Sequence, residues 1–326
     1  MNTKTHPEPA DAVKSGGLDI HQTVTNTIIA QLEKGTPPWQ KPWNAGLVSP
    51  YTMPKNVTTG NKYRGINIPL LWISAAAQDF TTQEWASFNQ WKAQKEHIAR
   101  GQKGTMIIYY DTFEREQDGE IKKIPFVKTS YVFNRCQLTS YTPDAQPQPE
   151  PAPLVERIAK VDTFIANTKA IVKHGGNRAF YAPAIDSITM PFQERFIDTA
   201  TRTATEGYYS VLLHELTHWT GHKSRCDRLG NSRFGSKPYA FEELIAELGS
   251  AFLCAELEIT NAPKSDHASY IASWLQVLKD DKKAILTAAS EATKICDFLQ
   301  RFQLNGTDTT QTPAAVIQTP DLVPQL

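Results

Sequence analysis

Apolar positions recur at helical or strand spacing along most of the chain, and each run predicts an element. Ile20, Val24, Ile28 and Leu32 share one face of an amphipathic helix over 19–34, which Gly35 ends. Residues 70–77 begin an apolar helix containing Trp72, and 82–99 read as another carrying Trp85, Phe88 and Trp91. A basic turn at 100–104 leads into a strand over 105–113. A charged hairpin connection over 114–123 and a second strand region over 125–138 follow. Residues 154–174 read as a helix stopped by Gly175 and Gly176, and 186–191 as a short strand ended by Pro191. The run 204–219 is a helix with an apolar start, and 239–257, 266–280 and 281–302 are further helices. The pattern predicts an α+β chain of two domains. The first, over 18–138, is a small α+β unit with an antiparallel sheet. The second, over 154–303, is mainly helical with a small sheet. The Pro-rich stretch 139–153 cannot form a packed element and reads as a semi-rigid linker. Residues 1–17 and 304–326 are polar and read as disordered flanks.

The helix over 204–219 carries the strongest candidate chemistry. His214 and His218 are four residues apart, so a helix puts both imidazoles on one face, where they can share one metal ion. Glu215 follows the first histidine, the general-base position of an H-E-x-x-H helix. A five-residue motif also arises by chance, so its context has to decide. In the next helix Leu244, Leu248, Ala251 and Phe252 make an apolar stripe, and Glu243 and Glu247 share another face. Carboxylates beside a buried stripe are costly unless they are paired or bound to metal. A His-His-Glu site takes one such carboxylate and leaves its fourth position open. Glu243 is the chosen ligand, Glu242 the rival, and Glu247 the group that orients a ligand histidine. The bland alternative is that these glutamates are solvated helix charges. His222 is a minor candidate, since eight residues from His214 span about 12 Å of continuous helix. Tyr181, Tyr209 and His222 are candidates for stabilising an oxyanion, and the sequence does not choose among them. One divalent ion is expected, with zinc the default and manganese the alternative.

Composition narrows the partners. At 326 residues with zero formal net charge, no global field marks a polyanion ligand. The four cysteines form no C-x-x-C pair and read as reduced thiols. No apolar signal core or membrane-length run is present, so a cytoplasmic protein without a membrane partner is expected. From 19 to 140 there are fourteen Lys/Arg against ten Asp/Glu, and that half holds five of the seven tryptophans. Basic side chains beside aromatic platforms suit single-stranded nucleic acid, because unpaired bases stack on rings while cations neutralise phosphates. Candidate contacts are Trp39, Lys41, Trp43, Tyr63, Arg64, Asn67, Lys103 and Tyr109. Trp72, Trp85 and Trp91 sit in helical patterns and are assigned to the core.

Several spaced motifs carry a resemblance. They are Pro38-Trp39, Pro42-Trp43-Asn44, Thr59-Gly60, Tyr63-Arg64-Gly65-Ile66-Asn67, Leu71-Trp72, Lys103-Gly104 and Val132-Phe133-Asn134 in the first half. In the second half they are Tyr181, Pro183, Asp186, Met190-Pro191, the run 214–222, Tyr239-Ala240, Glu242-Glu243 and Ala246-Glu247. Together they resemble the ArdC-type antirestriction proteins of conjugative plasmids over nearly all of 18–303. The resemblance implies an N-terminal domain that binds single-stranded DNA, akin to the N-terminal part of TraC-type primases. It also implies a C-terminal zincin-like metallopeptidase domain. In zincins a strand just before the H-E-x-x-H helix is an edge that can pair with an extended peptide. The implied role is to protect incoming plasmid DNA from host restriction during conjugation. Host restriction-modification subunits or another protein substrate are the candidate further partners. Two rival readings remain: a DNA-binding protective protein whose metal site is silent, and a metalloprotease whose first half recognises protein.

Overall fold

The structure, a computed structural model, describes residues 19–35, 37–39, 52–117, 120–142, 154–199, 202–229, 236–260 and 267–304. The N-terminal half contains α1 (Ile20–Leu32), β1 (Lys55–Asn56), α2 (Asn67–Ala77), β2 (Glu84–Ser87), α3 (Phe88–Ala93), β3 (Thr105–Gln117) and β4 (Glu120–Asn134). Its sheet runs β1-β2-β4-β3, with β1 and β2 parallel and the other pairs antiparallel. The C-terminal half contains α4 (Leu154–Thr168), β5 (Ile171–His174), β6 (Phe180–Ala182), β7 (Ser187–Met190), α5 (Ala204–Thr220), α6 (Lys237–Leu257), α7 (His267–Asp280) and α8 (Ala284–Leu304). Its sheet runs β5-β7-β6. The class is α+β, as the periodicity implied.

Four expectations need correction. Residues 82–99 are not one helix. β2 lies between β1 and β4, so Trp85 and Ala86 are both buried, and the three-residue spacing of Trp85, Phe88 and Trp91 imitates a helix. Ser87 then starts α3 with a capping box to Gln90. The charged segment 114–123 is not a connection but the distal part of the β3–β4 hairpin. Its backbone register sets Glu114 opposite Lys123. The helix expected over 154–174 stops at Thr168, where Lys169 turns into the left-handed region at φ 59°, and β5 follows. The strand before the H-E-x-x-H helix, β7, is central. The edge beside it is β6, antiparallel to β7.

One apolar cluster takes residues from both halves. Val24, Ile28 and Leu32 of α1 join Leu278 of α7 and Ile285 of α8 in it. Trp39 packs on Trp274 with ring centroids 6.0 Å apart, and Trp72 meets Phe252 of α6 edge-on at 5.9 Å. Thr25 Oγ1 donates to the Lys282 carbonyl at 2.7 Å. The metal-motif helix α5 and its neighbour α6 therefore sit in a core that the N-terminal segment helps to build.

Candidate metal centre

α5 begins at Thr203, whose hydroxyl accepts from the Glu206 N–H while the Glu206 carboxylate accepts from the Thr203 N–H. It is buried on nearly every side, so its polar residues must find partners inside the protein. α6 crosses it closely because residue 249 is glycine. A Cβ there would stand 2.7 Å from Thr217 Cγ2. Ser250 Oγ donates to the Ser210 carbonyl at 3.2 Å and ties the same crossing.

That crossing brings the α6 carboxylates beside the α5 histidines. His214 Nε2 and His218 Nε2 face each other at 3.1 Å. Glu243 Oε2 lies 3.6 Å from the first, and Oε1 lies 3.4 Å from the second. The three ligand atoms all fall within 4.8 Å of one another. The Nδ1 atoms face other carboxylates: Glu247 Oε1 at 3.4 Å from His214, and Glu242 Oε1 at 3.3 Å from His218. With protons on Nδ1, both Nε2 lone pairs point at one spot, where they repel unless a cation lies between them. Two imidazoles and a carboxylate are a donor set that suits a first-row divalent ion. The residues therefore fit a metal, and Glu243 rather than Glu242 faces the shared spot.

The electrostatics agree. Burial alone would lower His218, but hydrogen bonds to Glu242 and Glu243 outweigh it and raise it to about 10. Burial opposes ionisation of Glu243 too, yet His214 and His218 hold its carboxyl well below the usual carboxylate range. This is a buried site that demands positive charge.

Glu215 is also buried, and its Oε2 accepts from the Tyr181 N–H of β6 at 3.0 Å. The Tyr181 hydroxyl donates to Asp186 Oδ1 at 2.7 Å. Arg225 lies 3.8 Å over the Trp219 ring and bonds both Asp186 and the Tyr181 hydroxyl, so the strand is clamped beside Glu215. Of the other oxyanion candidates, Tyr209 donates to Asp162, and His222 Nδ1 pairs with Ser224 Oγ at 2.7 Å on the exposed side of the helix end. Sequence reasoning missed two residues. The Tyr239 hydroxyl hydrogen-bonds Glu243 and lies 3.5 Å from the Tyr270 hydroxyl. Burial, Tyr270 and Glu243 together push its phenol well up. Its place four residues before Glu243 was the available signal. Arg228, which grips Glu242, comes from a loop and gave no periodic signal.

The nucleic-acid candidates fare unevenly. Trp39 is 0% exposed, so it belongs to the core and cannot offer a face to a base. The Asn67 amide is used up on the Ile108 backbone, accepting from N–H at 2.8 Å and donating to the carbonyl at 2.7 Å. The Arg64 guanidinium pairs with Asp297 of α8, and the Gly65 N–H bonds Thr293 Oγ1 at 2.9 Å. Tyr63 is half-buried, with its hydroxyl 3.3 Å from Asn56 Nδ2. Lys103 is exposed and Tyr109 half-buried. Lys41 and Trp43 lie outside the described residues. Other aromatics are open instead: Phe88 (54% exposed), Tyr110 (57%) and Tyr131 (55%). Register puts Tyr110, Tyr131 and Phe133 on one sheet face, and Phe88 packs edge-on against Phe133 at 6.5 Å. Among the described residues no helix is long and apolar enough to cross a membrane.

Comparison with known proteins matches residues 18–133 to the family described as the N-terminal domain of anti-restriction factor ArdC, and 159–291 to zincin-like metallopeptidases. The uncharacterized protein y4eC of Sinorhizobium fredii (strain NBRC 101917 / NGR234) is 38% identical over 294 residues, covering 87% of this chain and 92% of that one. DNA primase TraC of Escherichia coli is 37% identical over 305 residues. The match again covers 87% of this chain but only 27% of the primase. Among solved structures, the metal-free crystal structure of antirestriction ArdC protein from R388 plasmid aligns with TM-score 0.71 and 41% identity over 88% of this chain and 98% of that one. The Mn(II)-bound structure of the same protein aligns at 0.70 and 38%, over 89% and 100%. With an ArdC N-terminal domain, a zincin-like C-terminal domain and similarity to a solved ArdC over 88% of its length, the chain belongs to the ArdC family of antirestriction proteins.

Proposed function

We propose that this protein protects incoming plasmid DNA from host restriction by binding single-stranded DNA through its first half and holding one divalent ion in its second. The observation that carries the metal reading is the convergence of His214 Nε2, His218 Nε2 and a Glu243 oxygen, with Glu247 and Glu242 behind the two imidazoles. Zinc suits the donor set, and the Mn(II)-bound relative makes manganese the alternative. When bound, the ion supplies Lewis acidity toward a carbonyl oxygen and toward water. Glu215, oriented by the Tyr181 N–H, takes the proton of an attacking water and returns it to the leaving amine. The substrate class is a polypeptide, with host restriction-modification subunits as candidates. For DNA, the open row Phe88, Tyr131 and Tyr110 offers stacking faces, and Lys103 a cation at its edge.

The burial of His214, Glu215 and Glu243 favours a second reading, in which the ion is structural and protection comes from DNA binding alone. Glu215→Gln separates the two, since it keeps the metal ligands and removes the base. The assay is conjugal transfer into a restricting recipient, with metal content measured alongside. Loss of protection with metal retained supports the peptidase reading, and full protection refutes it. Fluorescence anisotropy of the full chain with single-stranded and duplex oligonucleotides at two salt concentrations tests the DNA half. Absence of single-strand binding at low salt would sink that half.

A further inference from the structure

Arg228 is a buried cation in a cluster whose ligands need an anion behind them. Only 9% of its side chain is exposed. Nε donates to Glu242 Oε2 at 3.1 Å, and an NH2 nitrogen donates to Oε1 at 2.9 Å, a two-point grip that fixes the plane of the carboxylate. The same NH2 nitrogen donates to the Thr217 carbonyl at 3.0 Å, and the NH1 nitrogen donates to Thr220 Oγ1 at 3.1 Å. The loop that carries it is bound back to the helix end: the N–H groups of Arg228 and Leu229 both donate to the Gly221 carbonyl, at 2.9 and 3.0 Å. Gly221 makes room for this return, since a Cβ there would meet Leu229 Cγ at 2.7 Å and the guanidinium at 3.1 Å.

The grip has a direction. Glu242 Oε1, the atom that faces His218 Nδ1 at 3.3 Å, is held by one arm of the guanidinium, and Oε2 by the other. Rotation of the carboxylate away from the imidazole would break both. We infer that Arg228 is a positioning residue of the metal centre, acting through Glu242 to hold His218 with Nδ1 toward the carboxylate and Nε2 toward the ion. At His214, Glu247 Oε1 stands 3.4 Å from Nδ1 without hydrogen-bond alignment. His218 is thus oriented by a cation-braced carboxylate. Lysine cannot replace this fork, because it offers a single point charge.

The inference rests on the metal-centre reading, and the experiment keeps the two apart. The full chain is stripped of metal, and Mn(II) and Zn(II) affinities are measured by chelator competition for wild type, Arg228→Met, Glu242→Gln and the double variant. Melting of each metal-free protein serves as the folding control. Partners behind a ligand histidine typically account for roughly 10–100-fold in affinity. Arg228→Met should lose that much and broaden the electron paramagnetic resonance signal of bound Mn(II). In the Glu242→Gln background it should lose almost nothing further, because its route of action is gone. An equal loss in both backgrounds means that Arg228 acts only by bracing the helix end, and it overturns the inference, as does wild-type affinity in Arg228→Met. Where Arg228→Met does not fold, Arg228→Lys is read in its place, with the same two outcomes. Failure of the wild type to bind either ion overturns the metal-centre reading itself.

Discussion

Gly249→Ala tests whether the α5–α6 crossing builds the site. The added methyl would stand 2.7 Å from Thr217 Cγ2 and 3.1 Å from Oγ1. Carbon atoms pack at roughly 3.5–4.0 Å, so the shortfall is about 1 Å. Thr217 cannot easily yield. It is fully buried, its hydroxyl donates to the Leu213 carbonyl at 2.9 Å, and its own carbonyl accepts from Arg228. Overpacking of this kind costs about 1–3 kcal/mol, and the better helix propensity of alanine returns up to about 1 kcal/mol. The net expectation is a loss of about 1–2 kcal/mol, or a melting temperature lower by about 2–4 °C per kcal/mol. Metal binding should suffer more than stability. Thr217 adjoins His218, and Glu247 lies two residues before Gly249, so parting the helices by several tenths of an ångström displaces carboxylates from imidazoles. A metal site tolerates only about 0.2 Å, so Mn(II) affinity should fall at least about tenfold. Thr217→Ser removes Cγ2 and keeps the hydroxyl, and in combination it should restore affinity. Calorimetric melting and chelator competition read the two quantities. Gly249→Ala with wild-type affinity and melting would refute the claim that this glycine sets the site.

Trp39→Ala should destabilise the fold by about 3–5 kcal/mol, because it empties a fully buried ring site against Trp274, and chemical denaturation measures it. A stability within about 0.5 kcal/mol of wild type would return Trp39 to the surface. Tyr131→Ala should weaken single-stranded DNA binding by about 1–3 kcal/mol with the melting temperature unchanged, measured by anisotropy. Equal binding would remove this face from the DNA reading. Because His218 is raised from 6.5 to about 10, an entering ion must displace its proton. Mn(II) affinity should therefore climb between pH 6 and 8 by about tenfold per unit for each proton released, and a flat profile contradicts this. The same shift makes the His218 contribution to metal-free stability complete below pH 6.5 and lost as pH rises toward about 10. Glu243, held below its ordinary 4.5, contributes above that value and loses its contribution as pH falls, so urea denaturation of the stripped protein should weaken on both sides.

The sequence by itself determined what depends on local spacing. Four-residue separation put His214 and His218 on one helix face and made Glu243 and Glu247 neighbours. Apolar periodicity marked α1, α5, α6, α7 and α8 within a few residues, and spaced motifs carried the family. Position across the chain was decided only by packing. Spacing along the sequence could not tell Glu242 from Glu243. What separates them is the packing of α6 on α5 at Gly249 and Thr217, which sets Glu243 beside both Nε2 atoms and Glu242, gripped by Arg228, behind His218 at Nδ1. Trp39 looked like a stacking platform because a tryptophan beside prolines and a lysine has no period to betray burial. Its partner Trp274 is more than two hundred residues away in sequence. The strand order that makes β6 the edge, and lays its Tyr181 amide on Glu215, likewise follows from pairings that local pattern does not encode. Periodicity reports which face of an element is apolar, whereas the partner of that face is chosen by long-range burial.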